Sequence, residues 1–555
     1  MDMRTHVREA VARAAGAEPD QVKLEHPELA QNGDYSTNIA LVLKKGKAGA
    51  EKIKNAIKPD NVIAKVEVAG PGFINIWIRN EVLVSIVKEV ITQARDFGKS
   101  SSGLGKRVII DYSAPNIAKA FGIGHLRSTI IGQALYNLYR FLGFETIGDN
   151  HLGDWGTQFG KLLYMLDREN PKRLNIEVLE EMYVRFHQMA QEDKSLEEKA
   201  REWFVKLEQG DATARNLWKQ CWDVSMAEFY RIYDLLGVKI DETLGESFYE
   251  DKMGAVIEEA KKKGLAHESE GAWVIEIPGM EVPLMILKSD GATTYATRDL
   301  ATIAYRMKRW QPVKIIYEVG GEQGLYFAQI FQAAKMLGYT DERTELVHTK
   351  HGLYLDTDGK KFSTRKGKTV KLEEILLEAV ERAKKLGEDV NEETARKVGI
   401  GAIKYFDLKH GVQSDIVFDW EKMFELQGNS GPYLQYTYAR TQSIISKVQG
   451  SKSSIQLDTE SWTLNFNDEE LAGLRWIYRF PEVVEEAANR YSPNLVCNYL
   501  FELAARFNTF YNKHSILTPP EGGQTKQFRV AMTAAVGQVL YNGLNLLGIE
   551  APEVM

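Results

Sequence analysis

Two stretches of the chain carry residue types that bind phosphate. The first, Gly122-Ile-Gly-His125, stands in SAPNIAKAFGIGHLRST (Ser113 to Thr129), after the β-branched run RVIIDY (Arg107 to Tyr112) and before the apolar-periodic IIGQALYNLYRFLG. A strand that empties through a glycine-rich turn into a helix start presents unpaired amides and the positive end of the helix dipole, which suit an anion. Amides at Gly124 and His125 would take phosphate oxygens, Lys119 would add a cation, and glycine at 122 and 124 lets a nucleotide approach the backbone. The second stretch, GKKFSTRKGKTV (Gly359 to Val370), is a basic turn after the strand-like GLYLDTD, and its Lys361, Arg365 and Lys366 could close on the rest of a polyphosphate. Alone, each has a plain alternative. With 45 glycines and 10 histidines, about one Gly-His pair is expected by chance, and a basic turn is usually a solvated loop. Position gives them weight, because each follows a candidate strand end. In an open α/β sheet, loops at the carboxyl ends of strands beside the switch point converge on one crevice.

The elements that must hold these residues follow from composition and periodicity. The chain has 555 residues, 44% hydrophobic and 26% charged, a globular composition with length for three or four domains. Cys221 and Cys497 form no CxxC pair, which argues against a disulfide framework or a cysteine zinc site and fits a reducing cytoplasm. The start MDMRTHVREAVARAAG lacks the apolar core of a signal peptide and no apolar run is long enough to span a bilayer, so the reading is a cytoplasmic chain with no membrane partner. The formal net charge is -7, so a polyanionic partner would have to meet local basic patches.

Residues 1–100 mix helical patterning with the alternating GPGFINIWI, and KSSSGLGK (Lys99 to Lys106) reads as a linker. From 107 to 375, the runs RVIIDY, ETIGDN, VPLMIL, KIIYEV and ELVHTKHGLYL alternate with helical stretches, which predicts a parallel, doubly wound sheet. Charged amphipathic helices interrupt it over about 166–250 as an insertion. From 376 to 555 the strand signal fades and apolar spacing predicts a helical bundle.

GIGH and the later KFSTR resemble the HIGH and KMSKS signatures of class I aminoacyl-tRNA synthetases. SAPNIAKAFGIGHLRSTIIG is similar to SPNIAKPFHVGHLRST of the arginyl-tRNA synthetases. NHLGDWGTQFG, GESFY, SDGATTYATRDLA, GKKFSTRKG and SGPYLQYTYAR each match a block of that family in the right order, and GDYSTN and GPGFIN match its added N-terminal domain. The resemblance spans nearly the whole chain. It departs at Gly122, where the first histidine of HIGH would stand, at KFSTR, and at Tyr326, which takes the histidine place in the pattern QxxHxxQ ending at Gln329.

The resemblance implies a multidomain α/β protein: a class I Rossmann-type parallel-sheet catalytic domain with its helical insertion, an N-terminal α+β module that touches the tRNA elbow, and a C-terminal all-helical anticodon-binding bundle. It implies ATP-dependent ligation of L-arginine to tRNA-Arg through arginyl-adenylate, with acyl transfer first to the 2'-hydroxyl and activation that requires bound tRNA. ATP would bring Mg2+, no protein-bound structural metal is expected, and the enzyme would be a monomer. His125, Lys119, Lys361 and Arg365 become the catalytic donors, with Gly122, Gly124, Phe362, Ser363 and Lys366 beside them around ATP. Tyr295, Asp299 and Glu246 are assigned to the guanidinium, and Asp111, Asn116 and Gln329 to the α-amino and carboxylate end. In KKGKAGAEKIKNAIK, Lys44, Lys45, Lys47, Lys52, Lys54 and Lys58 would meet tRNA, where the plain alternative is a solvated helix face.

The chemistry asks for such residues independently. Adenylate formation needs no protein nucleophile, so catalysis is positioning plus electrostatic stabilisation. A planar, five-donor cation is matched by carboxylates and an aromatic face, and Tyr295 and Asp299 share one face if a helix begins at TTYATRD. An Asp at a helix start is also commonly a cap, and a Tyr four residues before it is commonly packing. GDWGTQFG is equally a structural turn or a pocket wall. Two other readings stand beside the arginine ligase: another class I synthetase or adenylate former, which carboxylates at 246 and 299 disfavour, and a tRNA-binding paralogue without catalysis, for which Gly122 is the only motive.

Overall fold

The computed structural model describes residues 3–356, 358–360, 364–365, 368–387, 390–449 and 465–555. The chain opens with the helix Met3–Ala15 and a three-stranded antiparallel sheet of β1 (Tyr35–Thr37), β2 (Ile63–Ala69) and β3 (Phe73–Ile78) in the order β1-β3-β2. The alternation in GPGFINIWI is that of β3, which buries Ile74, Ile76 and Ile78. The helix Gly46–Ala56 buries Gly49, Ala50 and Ile53 and leaves Lys47 and Lys52 exposed. Lys44 and Lys58 flank it, also exposed, whereas Lys45 Nζ donates to the carbonyl of Ala15 at 2.8 Å and Lys54 pairs with Glu51 at 3.3 Å.

The central sheet is parallel, formed by β4 (Arg107–Asp111) and β5 (Glu145–Asp149) with two later strands. Between them comes a separate antiparallel sheet of β6 (Ala266–Ser269), β7 (Ala272–Ile275) and β8 (Leu284–Leu287); then β9 (Lys314–Tyr317) and β10 (Glu345–His348) complete the order β10-β9-β4-β5. The chain reverses direction across the sheet at β4, so the switch point lies between β4 and β9. Val108, Ile109, Ile110, Ile315 and Ile316 are all buried, as strands covered on both faces must be. VPLMIL, expected in this sheet, is instead β8. Leu284 and Ile286 are buried while Met285 is 44% exposed, the one-sided alternation of an antiparallel strand, and a continuous apolar spelling concealed it.

The insertion consists of the helices Gln158–Glu169, Ile176–Glu192, Ser195–Glu208 and Ala212–Leu236. Among the described residues, the C-terminal part from Leu372 onward is helical apart from the short strand β14 (Ile416–Val417), and its longest helices are Asn494–Lys513 and Gly523–Leu546. Short pieces precede it: β11 (Tyr354–Leu355), which pairs in parallel with β14 (Ile416–Val417), and a small hairpin of β12 (Thr364–Arg365) and β13 (Lys368–Thr369). The helix Asn80–Gln93, counted in sequence with the first segment, packs on the C-terminal helices Asp468–Ile477 and Gly523–Leu546. KSSSGLGK is not slack: Ser100 and Gly103 amides donate to the carbonyls of Phe141 and Leu142 at 3.3 and 3.0 Å. Between the N-terminal module and the bundle, Tyr35 donates to Glu482 at 2.5 Å and Arg475 meets buried Asp34 at 3.1 Å.

Candidate active site

The last residues of the four parallel strands form one row, because His348, Tyr317, Asp111 and Asp149 are successive register partners. Two buried carboxylates side by side require a cation. Arg306 supplies it from the helix Tyr295–Trp310: its Nη2 lies 2.7 Å from Asp111 Oδ2 and 2.8 Å from Asp149 Oδ2, and its Nε donates to Asp149 at 3.0 Å. Burial pushes Asp149 up and the guanidinium pulls it back. Arg306 Nη1, Asp149 Oδ1 and the Tyr317 hydroxyl stay buried with no hydrogen-bond partner among the described residues, so the crevice floor carries unmet polar atoms.

Beyond Asp111 the backbone takes a strained path, with φ of 74° at Ser113, 44° at Ala114 and 60° at Ala118. Contacts from distant segments hold it there. The amide of Ala114 donates to Asn150 Oδ1 at 3.0 Å, that of Ala118 to Ser225 Oγ at 2.8 Å, and that of Ala120 to Glu180 Oε1 at 2.9 Å; Ser113 Oγ meets the Tyr233 hydroxyl at 2.8 Å. Ser225, Tyr233 and Glu180 all belong to the insertion, which therefore acts as scaffold for this turn. Asn116 bridges to Gly153, where a Cβ would lie 2.0 Å from Asn116 Oδ1, so a larger residue would have to displace that side chain.

The turn continues through Gly122 into the 3-10 segment Ile123–His125 and the helix Leu126–Phe141. A Cβ on Gly124 would meet nothing within 4 Å, so the turn opens onto free space. Burial pushes the His125 imidazole down to about 4, so it is neutral at pH 7, and its Nδ1 is buried with no partner among the described residues. A neutral imidazole can give one N–H to a phosphate oxygen but adds no charge. Lys119 is exposed beside it, with Nζ 6.0 Å from the Tyr183 ring.

The exit of the basic turn pairs with this glycine turn. Ile123 N donates to the Val370 carbonyl at 3.2 Å, Leu372 N to the Phe121 carbonyl at 2.9 Å, and Gly122 bridges Lys371. The two stretches that stand far apart in sequence are thus neighbouring backbone. Arg365 lies in β12; Lys361, Phe362, Ser363 and Lys366 lie outside the described residues.

Across the floor lies an acidic recess. Thr294 caps the helix by accepting from Thr297 N, so the helix starts at Tyr295 and places Asp299 one turn on. Asp299 Oδ2 accepts from the Tyr326 hydroxyl, and its Oδ1 is 3.9 Å from His151 Nε2. Glu246 lies 3.5 Å from Arg298 Nη1, and Glu250 lies 3.2 Å from Nη2. Burial raises the pKa of both Asp299 and Glu246, that of Glu246 to about 7, against the opposing charges of Arg298 and His151. His151 Nδ1 and the Tyr249 hydroxyl are buried with no partner among the described residues. Carboxylates pressed upward by desolvation beside unmet polar atoms describe a recess for a cation. Tyr295 is 66% exposed at its rim, and its ring stands 5.6 Å from the Arg298 guanidinium.

Of the residues expected at the far end of this recess, Asn116 is exposed at the mouth, Gln329 Nε2 donates to the Val282 carbonyl at 2.6 Å, and Asp111 Oδ2 is committed to Arg306. Several contributors escaped the sequence reading. His151 lies in NHLGDWGTQFG, and Arg306 lies seven residues after Asp299 on the same helix face, a signal that was present. Glu180 and Ser225 gave no local signal, because their contacts close over 60 and 107 positions.

Three family models match the chain: "Arginyl tRNA synthetase N terminal domain" over residues 1–78, "tRNA synthetases class I (R), catalytic domain" over 86–420, and "DALR anticodon binding domain" over 434–555. An arginine–tRNA ligase of Halothermothrix orenii is 39% identical over 96% of this chain and 95% of its own length. One of Clostridium botulinum is 38% identical, with all of both chains covered. In fold, the chain superposes on the crystal structure of the Plasmodium falciparum arginyl-tRNA synthetase with a TM-score of 0.86, at 24% identity, covering 99% of this chain and 98% of that one.

Proposed function

This chain belongs to the arginyl-tRNA synthetase family, and from that premise we propose that the crevice at the ends of β4 and β9 activates L-arginine with ATP and transfers it to tRNA-Arg. The protein ligates arginine to tRNA through an aminoacyl-adenylate. What supports the site assignment best is one juxtaposition: a glycine turn paired with the exit of a basic turn on one side of a strand-end row, and Asp299 with Glu246 on the other.

In the first step a carboxylate oxygen of arginine attacks the α-phosphorus, the bond to the bridging oxygen of the β-phosphate breaks, and pyrophosphate leaves. The terminal 2'-hydroxyl of tRNA then attacks the adenylate carbonyl and AMP leaves. This chain's residues position and stabilise. The Gly124 amide, with Lys119, receives phosphate oxygens, whereas the His125 amide expected beside it is already given to the Gly122 carbonyl at 3.0 Å; Lys361, Arg365 and Lys366 neutralise the charge that grows on pyrophosphate. Asp299 and Glu246 take the guanidinium, with Tyr295 at its face. A Mg2+ would arrive with the triphosphate and would supply further neutralisation of the phosphate charge.

Pyrophosphate exchange into ATP, run with each of the twenty amino acids, tests this reading. Exchange is expected with arginine and to require tRNA; equal exchange with another amino acid would discard the specificity assignment, and equal exchange without tRNA would discard the tRNA requirement.

Affinity for arginine should depend on pH. The guanidinium binds the ionised form of Glu246, whose pKa is raised to about 7 in the free protein with His151, Arg298, Asp154 and Asp299 around it. Below that value binding must first expel a proton, so the KM for arginine is expected to rise by up to about tenfold per unit as pH falls from 7 to 5.5, while the KM for ATP stays nearly level. A flat arginine profile would take Glu246 out of the recess.

We assign the exposed lysines of the N-terminal module to tRNA backbone contacts. Changing Lys44, Lys47, Lys52 and Lys58 together to Gln is expected to weaken tRNA binding and flatten its salt dependence, each lost phosphate contact reducing the slope by about 0.7 to 0.9. An unchanged slope returns the helix to an ordinary solvated surface.

A further inference from the structure

We propose that Tyr326 is a positioning residue for arginine, its phenol fixing the Asp299 carboxylate so that one oxygen, Oδ1, is presented to the guanidinium. The inference rests on the assignment of Asp299 to the arginine side chain made above. Tyr326 sits in the first turn of the helix Gly324–Met336, which the sheet itself holds in place. The next residue, Phe327, packs with its ring centroid 5.1 Å from that of Tyr317 and 4.6 Å from that of His348, the terminal residues of β9 and β10. The phenol therefore inherits its position from the strand-end row rather than from a loop.

A phenol has a single proton to give. Here it goes to Asp299 Oδ2, and burial together with the charge of Asp299 raises the phenol pKa and keeps that proton in place. The other carboxylate oxygen has His151 Nε2 at 3.9 Å, beyond hydrogen-bond reach. One oxygen is thus capped and the other is left for an N–H of the substrate. A carboxylate held in this way does not have to be ordered when arginine arrives, and preorganisation of this kind appears as affinity. The pattern from which this segment departs places a histidine at 326, which likewise offers one N–H. Phenylalanine would keep the ring and lose the donor.

The test compares Tyr326→Phe and Tyr326→His with the unaltered full-length protein in aminoacylation, measuring the KM for arginine and for ATP separately. Tyr326→Phe is expected to raise the KM for arginine by roughly tenfold or more, the loss of a hydrogen bond to a charged group, with the KM for ATP within about twofold. Tyr326→His restores a donor and should bring the arginine KM at least halfway back on a logarithmic scale. An arginine KM unchanged in Tyr326→Phe, equal losses toward arginine and ATP, or a Tyr326→His variant no better than Tyr326→Phe would each overturn the proposal. If the unaltered protein charges arginine and Tyr326→Phe is silent, only the positioning role falls; if the unaltered protein does not charge arginine, the reading of the recess falls with it.

Discussion

Asp299→Ala is expected to raise the KM for arginine by about thirtyfold to a few thousandfold, with the KM for ATP changed by less than about threefold. Removing one partner of a desolvated charge pair costs about 2 to 5 kcal/mol, because the remaining charge stays buried and unpaired. The recess is built to produce that asymmetry. Asp299 sits across the strand-end row from the glycine turn, with Tyr326 and His151 among its polar neighbours. Steady-state kinetics with each substrate varied in turn decides the matter. Equal increases in the two KM values would mean that Asp299 supports the fold of the crevice and does not meet arginine.

The second large effect concerns stability. Arg306→Met leaves Asp111 and Asp149 adjacent, buried and without their cation, and breaking a buried ion cluster in this way costs about 3 to 5 kcal/mol. For a domain of this size that corresponds to a melting temperature lower by roughly 6 °C or more for the parallel-sheet region. The deficit should shrink as pH falls from 8 to 5. Burial already raises the pKa of Asp149, and without the guanidinium that pulls it back the penalty is greatest when the carboxylate is forced to ionise and declines as it takes up a proton. Adding Asp111→Asn and Asp149→Asn to Arg306→Met should recover part of the loss. A melting temperature within about 2 °C of the unaltered protein at pH 8 would show that the cluster is compensated in some other way.

Much of this was legible beforehand because it is local. The strand–turn–helix at 107–141, the helix start at Tyr295 and the basic turn each declare themselves through short-range periodicity and turn chemistry. The resemblance then joined them in order. What could not be read has a common cause, long-range closure. Pairing with the short antiparallel strand β7 turned VPLMIL away from the main sheet, since an apolar run does not say which face it buries. Asp111 looked available until Arg306, 195 positions later, proved to hold it. The helix Asn80–Gln93 carries no mark in its own sequence that the bundle formed by the end of the chain is its partner.

The anchoring of the strained turn by the insertion sets the order in which the protein can come alive during synthesis. Ser113, Ala118 and Ala120 depend on acceptors and partners at 233, 225 and 180, and the glycine turn is then closed by backbone at 370–372. Arg127, just past that turn, is buried against Asp407, 280 positions further along. Contacts of such sequence separation form late, after the loop-closure entropy has been met. On a ribosome that delivers the chain from its N-terminus, β4 and β5 can pair early, yet the glycine turn has nothing to fasten to until the insertion has emerged, β9 and β10 join only after that, and the turn has no closure until about two thirds of the polypeptide is outside the tunnel. A nascent chain that has not yet delivered residues 370–372 therefore lacks the backbone partners that close the glycine turn, although its N-terminal module is already complete.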